Sequence, residues 1–128
     1  MNPTERRLVF VYGTLKRGGS NHRYMDGQTF CGEARTMPGF SLINLGDYPG
    51  IVLDPNDQDG VTGELWSVDE ACLEHLDILE GVKEGLYRRA RIALVSPSPD
   101  HPVITYFYAL DPSRRMRVPG GVWIEPTA

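Results

Sequence analysis

At 128 residues the chain is long enough to bury roughly two-thirds of its unfolded surface in one domain, and its 41% hydrophobic and 23% charged residues are those of an ordinary globular protein. Thirteen Lys and Arg against seventeen Asp and Glu leave a net charge of -4, which offers no general attraction to phosphate backbones and argues against a nucleic-acid partner. No apolar run approaches the length of a membrane span, and the apolar stretch near the start is too short for a signal peptide, so no membrane association and a cytoplasmic location are expected.

In chain order, the run LVFVY at 8–12 is nearly continuous in apolar residues and ends at Gly13, which predicts a buried central strand followed by a loop. The loop GTLKRGGSN leads to Ser20 or Asn21, either of which can cap a short helical turn through Met25. Strands are expected at 28–36 and 40–44, joined by the turn Met37-Pro38-Gly39, then a brief strand at 51–53 after the turn-rich GDYPG. Another strand runs over 61–68, and Ser67-Val68-Asp69-Glu70 matches a Ser-x-x-Glu capping box, which predicts a helix from Asp69 to Glu80 that ends at Gly81. Strands at 87–95 and 103–110 follow, joined by SPSPDHP, and Arg88, Arg89 and Arg91 read as solvated strand positions. Six or seven short strands with one convincing helix give the α+β class, as a curled or barrel-like sheet. The expected organisation is one domain over 1–128, with an irregular tail from about 111.

The helix holds the most informative carboxylate. Cys72, Leu73, Leu76 and Leu79 form its apolar stripe, and Glu80 falls four residues after Leu76 and seven after Leu73, inside that stripe. Glu70, Glu74, His75 and Asp77 project elsewhere and are expected to be solvated. A carboxylate drawn toward a core at the negative end of a helix dipole resists ionisation and suits general acid/base work near neutral pH. The alternative left open by periodicity is a helix that frays before Glu80 and leaves the side chain wet.

The loop after the first strand is the second candidate, because Gly13 lets backbone approach a ligand and successive N–H groups can form an anion-binding nest. GTLKRGG lacks the Gly-Lys-Ser/Thr ending of a phosphate-binding Walker loop and the spacing of a dinucleotide fingerprint. Cys72, His75 and Asp77 point in different directions around one helix and make no nucleophilic triad. Cys31 and Cys72 are expected as two free, buried thiols, and His22, His75 and His101 have no paired ligand spacing, so neither metal nor organic cofactor is expected. Tyr106 and Tyr108 share a strand face, and a tyrosine beside a buried carboxylate can orient it or reach a substrate.

Taken together, VFVYGTLKRGGSNH, GDYP, GELW, and LDILEG followed by LYRR resemble the γ-glutamylcyclotransferase-like (AIG2-like) family over residues 8–123, and most of all its short members, the γ-glutamylamine cyclotransferases. The resemblance implies a small mixed β-barrel-like fold with a pocket between the Tyr-Gly-Thr-Leu loop, here Tyr12, Gly13, Thr14 and Leu15, and a helix bearing an acid/base glutamate, here Glu80. It further implies a pocket tyrosine on the last long strand, taken as Tyr108 in preference to Tyr106, with Tyr48, Pro49 and Tyr87 as further pocket lining. The ending Pro119-Gly120-Gly121-Val122-Trp123 is similar to the Pro-x-Gly-x-Trp of relatives, although Val122 stands where many carry Asp. The implied reaction is attack of a substrate α-amine on its own γ-carbonyl, releasing 5-oxoproline and an amine, in a monomer or weak homodimer acting on a small γ-glutamyl substrate. Loops 16–22 and 46–50 and the tail are expected at the pocket mouth. Two rival readings remain: a non-catalytic module that binds an acidic metabolite, and another γ-glutamyl acyl transferase on the same scaffold.

Overall fold

β1 (Arg6–Val11) is the strand around which the computed structural model, described over residues 6–125, is organised. Val9 and Val11 face one hydrophobic cluster, while Phe10 and the following Tyr12 face another, so the strand is covered on both sides. That is why its sequence reads as a continuous apolar run rather than an alternation. β1 pairs antiparallel with β5 (Thr62–Asp69) along its full length and, on its other side, parallel with β8 (Val103–Tyr108) at Leu8↔Val103 and Val9↔Ile104.

β2 (Thr29–Thr36) lies outside β5. The segment after the helix is then one bent ribbon rather than the single strand its sequence predicts. Its first half, β6 (Tyr87–Arg91), pairs antiparallel with β8, and its second half, β7 (Leu94–Ser96), pairs antiparallel with β2. Since β8, β1, β5 and β2 are consecutive neighbours, the bend at Ile92 and Ala93 closes them into a barrel-like ring. β3 (Phe40–Asn44) and β4 (Pro49–Leu53) form a hairpin attached to β8 through the parallel pair Ile51↔Phe107, and a short β9 (Met116–Arg117) adds to β3. The class is α+β, with nine strands, one α-helix and two short 3-10 turns among the described residues.

The helix, α1 (Glu70–Leu79), follows β5 directly and buries Cys72, Leu73 and Leu76 in the cluster that also holds Val9, Val11, Trp66 and Tyr106. Its N-cap differs from the expected capping box: Asp69 accepts from the Cys72 N–H at 2.8 Å, while Ser67 stays in β5, where its hydroxyl accepts from Arg6 at 3.0 Å. Strand pairing with β1 extends to Asp69 and outcompetes an earlier start. The other end is a Schellman closure: Val82 N–H donates to Asp77 O and Gly81 N–H to Ile78 O, both at 3.1 Å, with Gly81 at φ 64°.

Two further expectations change. Cys72 is buried but Cys31 is exposed, because Cys31 is the extra residue of a bulge between Phe30 and Gly32. The stretch beyond 111 carries β9 and a 3-10 turn at Pro119–Gly121, and Arg117 ties it to the buried Asp57 at 2.6 Å. Among the described residues no helix is long and apolar enough to cross a membrane.

Candidate active site

A fork in the sheet opens the main cleft. β1 and β4 both pair in parallel with the same edge of β8, β1 near Ile104 and β4 at Phe107, so β1 must peel away beyond Val9. Two hydroxyls satisfy the backbone groups this separation frees. Thr105 Oγ1 donates to Phe10 O at 2.7 Å, and the buried Tyr12 hydroxyl donates to Tyr106 O at 2.5 Å while accepting from Ile51 N–H at 3.2 Å. Tyr12 therefore staples β1, β4 and β8 together at the floor of a cleft of about 310 Å³.

One lip is the loop that follows β1. Gly13 and Lys16 close a turn through Lys16 N–H to Gly13 O at 3.2 Å, and Asn21 holds Thr14 through both its backbone and side-chain nitrogens, at 2.9 and 3.0 Å. Among the described residues the backbone N–H groups of Gly13, Thr14 and Leu15 donate to nothing. Gly13 sits against the opposite lip: a Cβ there would stand 2.7 Å from Pro49 Cγ. Behind the loop, the buried Glu64 accepts from Arg17 N–H at 3.0 Å, Arg17 Nε at 3.1 Å and Trp66 Nε1 at 3.1 Å. Burial opposes ionisation of Glu64, yet these hydrogen bonds outweigh it and hold the carboxyl below its usual range. Sequence reading missed this brace, although Glu64 and Trp66 share one face of GELW.

Glu80 lies across the cleft as the C-cap residue of α1, its backbone N–H still bonded to Leu76 O at 2.9 Å. The helix does not fray before it. Its half-buried side chain makes no hydrogen bond or salt bridge among the described residues, and burial pushes its proton affinity up to about 7. Leu79 and Leu86 flank it in the lining.

The tyrosines divide by what their hydroxyls do. Tyr87 donates to Pro49 O at 2.7 Å, and Tyr48, at the mouth, is 40% exposed. Tyr106 lines the cleft and donates to Asp77 Oδ1 at 2.6 Å, and Asp77 Oδ2 in turn accepts from Arg89 at 2.8 Å. Burial, reinforced by the neighbouring acidic groups, holds the Tyr12, Tyr87 and Tyr106 phenols neutral at ordinary pH. Asp77 is thus no free solvated carboxylate. Tyr108 is not among the lining residues: it packs edge-on against Tyr87, ring centroids 5.8 Å apart, with its Cβ lying where any side chain at Gly50 would go. The cleft brings together Tyr12, Gly13, Thr14, Leu15, Tyr48, Pro49, Glu80 and Tyr87 from the sequence reading and adds Tyr106, Asp47, Ser20 and Asn21. None of the described tail residues lines it.

A barrel-like mixed sheet, one helix, and a cleft shared by a helix-terminal carboxylate and a glycine turn define a small α+β protein shaped to enclose a small molecule. The model of the family described as gamma-glutamyl cyclotransferase, AIG2-like, matches residues 9–125, and the chain belongs to that family. It is 46% identical over 87 residues to a Vibrio cholerae protein whose name carries a provisional γ-glutamylcyclotransferase assignment, a match covering 68% of this chain and 72% of that one. It is 38% identical over 91 residues to the γ-glutamylaminecyclotransferase of Rattus norvegicus, covering 66% of this chain but only 60% of the rat protein. The crystal structure of an AIG2-like protein from Mus musculus superposes with a TM-score of 0.74 at 28% identity, covering 96% of this chain and 97% of that one.

Proposed function

We propose that the protein is a γ-glutamyl cyclotransferase in which Glu80 is the acid/base group. The nucleophile belongs to the substrate: its α-nitrogen attacks its own γ-carbonyl, the new C–N bond closes 5-oxoproline, and the original amide C–N bond breaks. At neutral pH the attacking ammonium gives up two protons and the leaving nitrogen gains two, so no water, oxidant or external nucleophile enters the balance. A carboxyl with a proton affinity near 7, free of hydrogen-bond partners among the described residues, is suited to take a proton from one nitrogen and hand one to the other. That state of Glu80 is the observation that carries the reading.

The free N–H groups of Gly13, Thr14 and Leu15 would receive the substrate carboxylate or the developing oxyanion, and a well-placed oxyanion donor is worth about 3–4 kcal/mol. Lined by Tyr12, Pro49 and Leu86, the cleft would have to hold the folded-back conformer that brings the α-nitrogen to the γ-carbonyl. Incubation with a panel of γ-glutamyl amines and γ-glutamyl amino acids, following 5-oxoproline by mass spectrometry, tests the assignment. The wild type should release it, and Glu80→Gln should do so more slowly by about two to four orders of magnitude. Binding without product across the panel would favour a sensing module, and a γ-glutamyl product other than 5-oxoproline would favour intermolecular acyl transfer.

A further inference from the structure

Tyr106 is joined to both walls of the cleft at once. Its backbone carbonyl accepts from the Tyr12 hydroxyl at 2.5 Å, and Tyr12 leads directly into the Gly13 turn. Its own hydroxyl, on a buried ring, donates to Asp77 Oδ1 at 2.6 Å, and Asp77 precedes Glu80 by three residues at the end of α1. Arg89 stands opposite Tyr106 in the β6–β8 ladder, so the two side chains share a sheet face, and Arg89 donates to Asp77 Oδ2 at 2.8 Å. The neighbouring Arg88 leaves the strand on the other face, with its guanidinium 5.0 Å from the centre of the Phe107 ring. Each oxygen of Asp77 therefore has its own donor, one from β8 and one from β6.

The end of the helix has little else to hold it. α1 buries Cys72, Leu73 and Leu76, but beyond Leu76 none of its side chains is fully buried: Leu79 is partly covered and Ile78 is 76% exposed. The carbonyl of Asp77 also accepts from Val82 N–H in the Schellman closure, so the residue tied to the sheet by its side chain closes, through its backbone, the turn that carries Glu80. Glu80 has no bond of its own among the described side chains, and its position is inherited from that turn. One chain of hydrogen bonds thus spans the cleft, from the Gly13 turn through Tyr12, Tyr106 and Asp77 to Glu80.

We propose that Tyr106 and Asp77 are positioning residues that set the distance between Glu80 and the Gly13 turn. Neither has to touch the substrate to do so. The kinetic consequence rests on the cyclotransferase reading, whereas the placement of Glu80 can be measured without turnover.

Three substitutions test it. Tyr106→Phe removes one hydroxyl and leaves the carbonyl that Tyr12 uses, Asp77→Ala removes the acceptor, and Asp77→Asn removes the charge but keeps an oxygen for the Tyr106 hydroxyl. In 5-oxoproline release, Tyr106→Phe and Asp77→Ala should each lower kcat by about ten- to hundredfold with KM within about twofold, the pattern of a misplaced group that acts in the transition state. The double variant should be no slower than the slower single, because both break one link, and Asp77→Asn should recover most of the loss. Should Asp77→Ala fail to fold, Tyr106→Phe set against Asp77→Asn makes the same comparison. The second readout is the titration of Glu80, followed by carbon NMR of labelled glutamate carboxyls. The other titratable groups that act on Glu80, the Tyr12 and Tyr87 phenols, stay neutral throughout. Tyr106→Phe leaves the Asp77 charge in place, which alone would push the Glu80 midpoint up, so a fall from about 7 by at least about one pH unit reports a carboxyl that has moved toward water. An unmoved midpoint, a loss confined to Tyr106→Phe, effects that multiply in the double variant, or a raised KM in place of a lowered kcat overturns the inference. A lowered midpoint with no 5-oxoproline from any substrate upholds the positioning and removes the cyclotransferase reading.

Discussion

Replacing Glu80 by Gln should slow turnover by about two to four orders of magnitude and at the same time stabilise the fold, because the property that suits Glu80 to proton transfer is a cost to the folded state. Burial raises its proton affinity from the ordinary 4.5 to about 7, a displacement of about 2.5 pH units. In the unfolded chain the group ionises near 4.5, whereas in the folded protein it keeps its proton until about 7. Between these values the unfolded state binds fewer protons, so wild-type stability falls as pH rises, and above about 7 the loss is complete. At about 1.4 kcal/mol per pH unit the full displacement corresponds to about 3 kcal/mol, and solvent in the open cleft reduces this to about 1–2 kcal/mol. Glutamine, which never ionises, escapes the penalty. Thermal unfolding of both proteins at pH 5, 6, 7 and 8.5 checks this: the midpoint of Glu80→Gln should exceed that of wild type by about 3–8 °C at pH 8.5, with the gap narrowing toward pH 5. Midpoints that run parallel across the range would refute the claim that Glu80 resists ionisation, and with it the proton-shuttle argument.

Other positions give equally direct outcomes. Tyr12→Phe strands the buried Tyr106 carbonyl and Ile51 N–H at the fork and should lower stability by about 2–4 kcal/mol, read by urea denaturation. Asp57→Asn weakens a buried carboxylate that accepts from Arg117, Ser41, Asp59 N–H and Gly60 N–H, and should cost about 3 kcal/mol at neutral pH. Although burial opposes its charge, those donors hold Asp57 well below its ordinary 3.8, so its contribution is present above that value and the difference between variant and wild type should shrink as pH falls below it. Gly13→Ala puts a methyl 2.7 Å from Pro49 Cγ and forces the two lips apart, so 5-oxoproline release should fall by at least about tenfold and the unfolding midpoint should fall with it.

Much of the frame was legible because local and tertiary preferences agree. The run at 8–12 is apolar on both faces and is covered on both faces, and the Leu73, Leu76, Glu80 spacing carries through because Gly81 allows a Schellman end immediately after it. Failures occurred where tertiary pairing overrode a local signal. The capping box at Ser67 lost to the β1–β5 ladder, and 87–95 split because one ribbon serves two partners, β8 and then β2. Two-residue β9 has no periodicity to read. Tyr106 and Tyr108 share a face, and nothing in alternation tells which of them reaches the cleft: that depends on the Ile51↔Phe107 register, which places Tyr108 behind Gly50. Asp77 read as a solvated helix position because its partners, Tyr106 and Arg89, arrive on strands that follow the helix in the chain.

The fork at β8 also sets the order in which a working cleft can come into being. Its floor joins Tyr12 to the carbonyl of Tyr106, 94 residues downstream, and the parallel pairing of Val9 with Ile104 spans slightly more chain. A nascent polypeptide that has emerged only through α1 already contains the glycine turn and Glu80, yet has no β8 edge against which to seat them. Contacts of such sequence separation form late and slowly. The competent site should therefore arise in the final cooperative step of folding, and amino-terminal fragments that retain every proposed catalytic group before β8 should be inert.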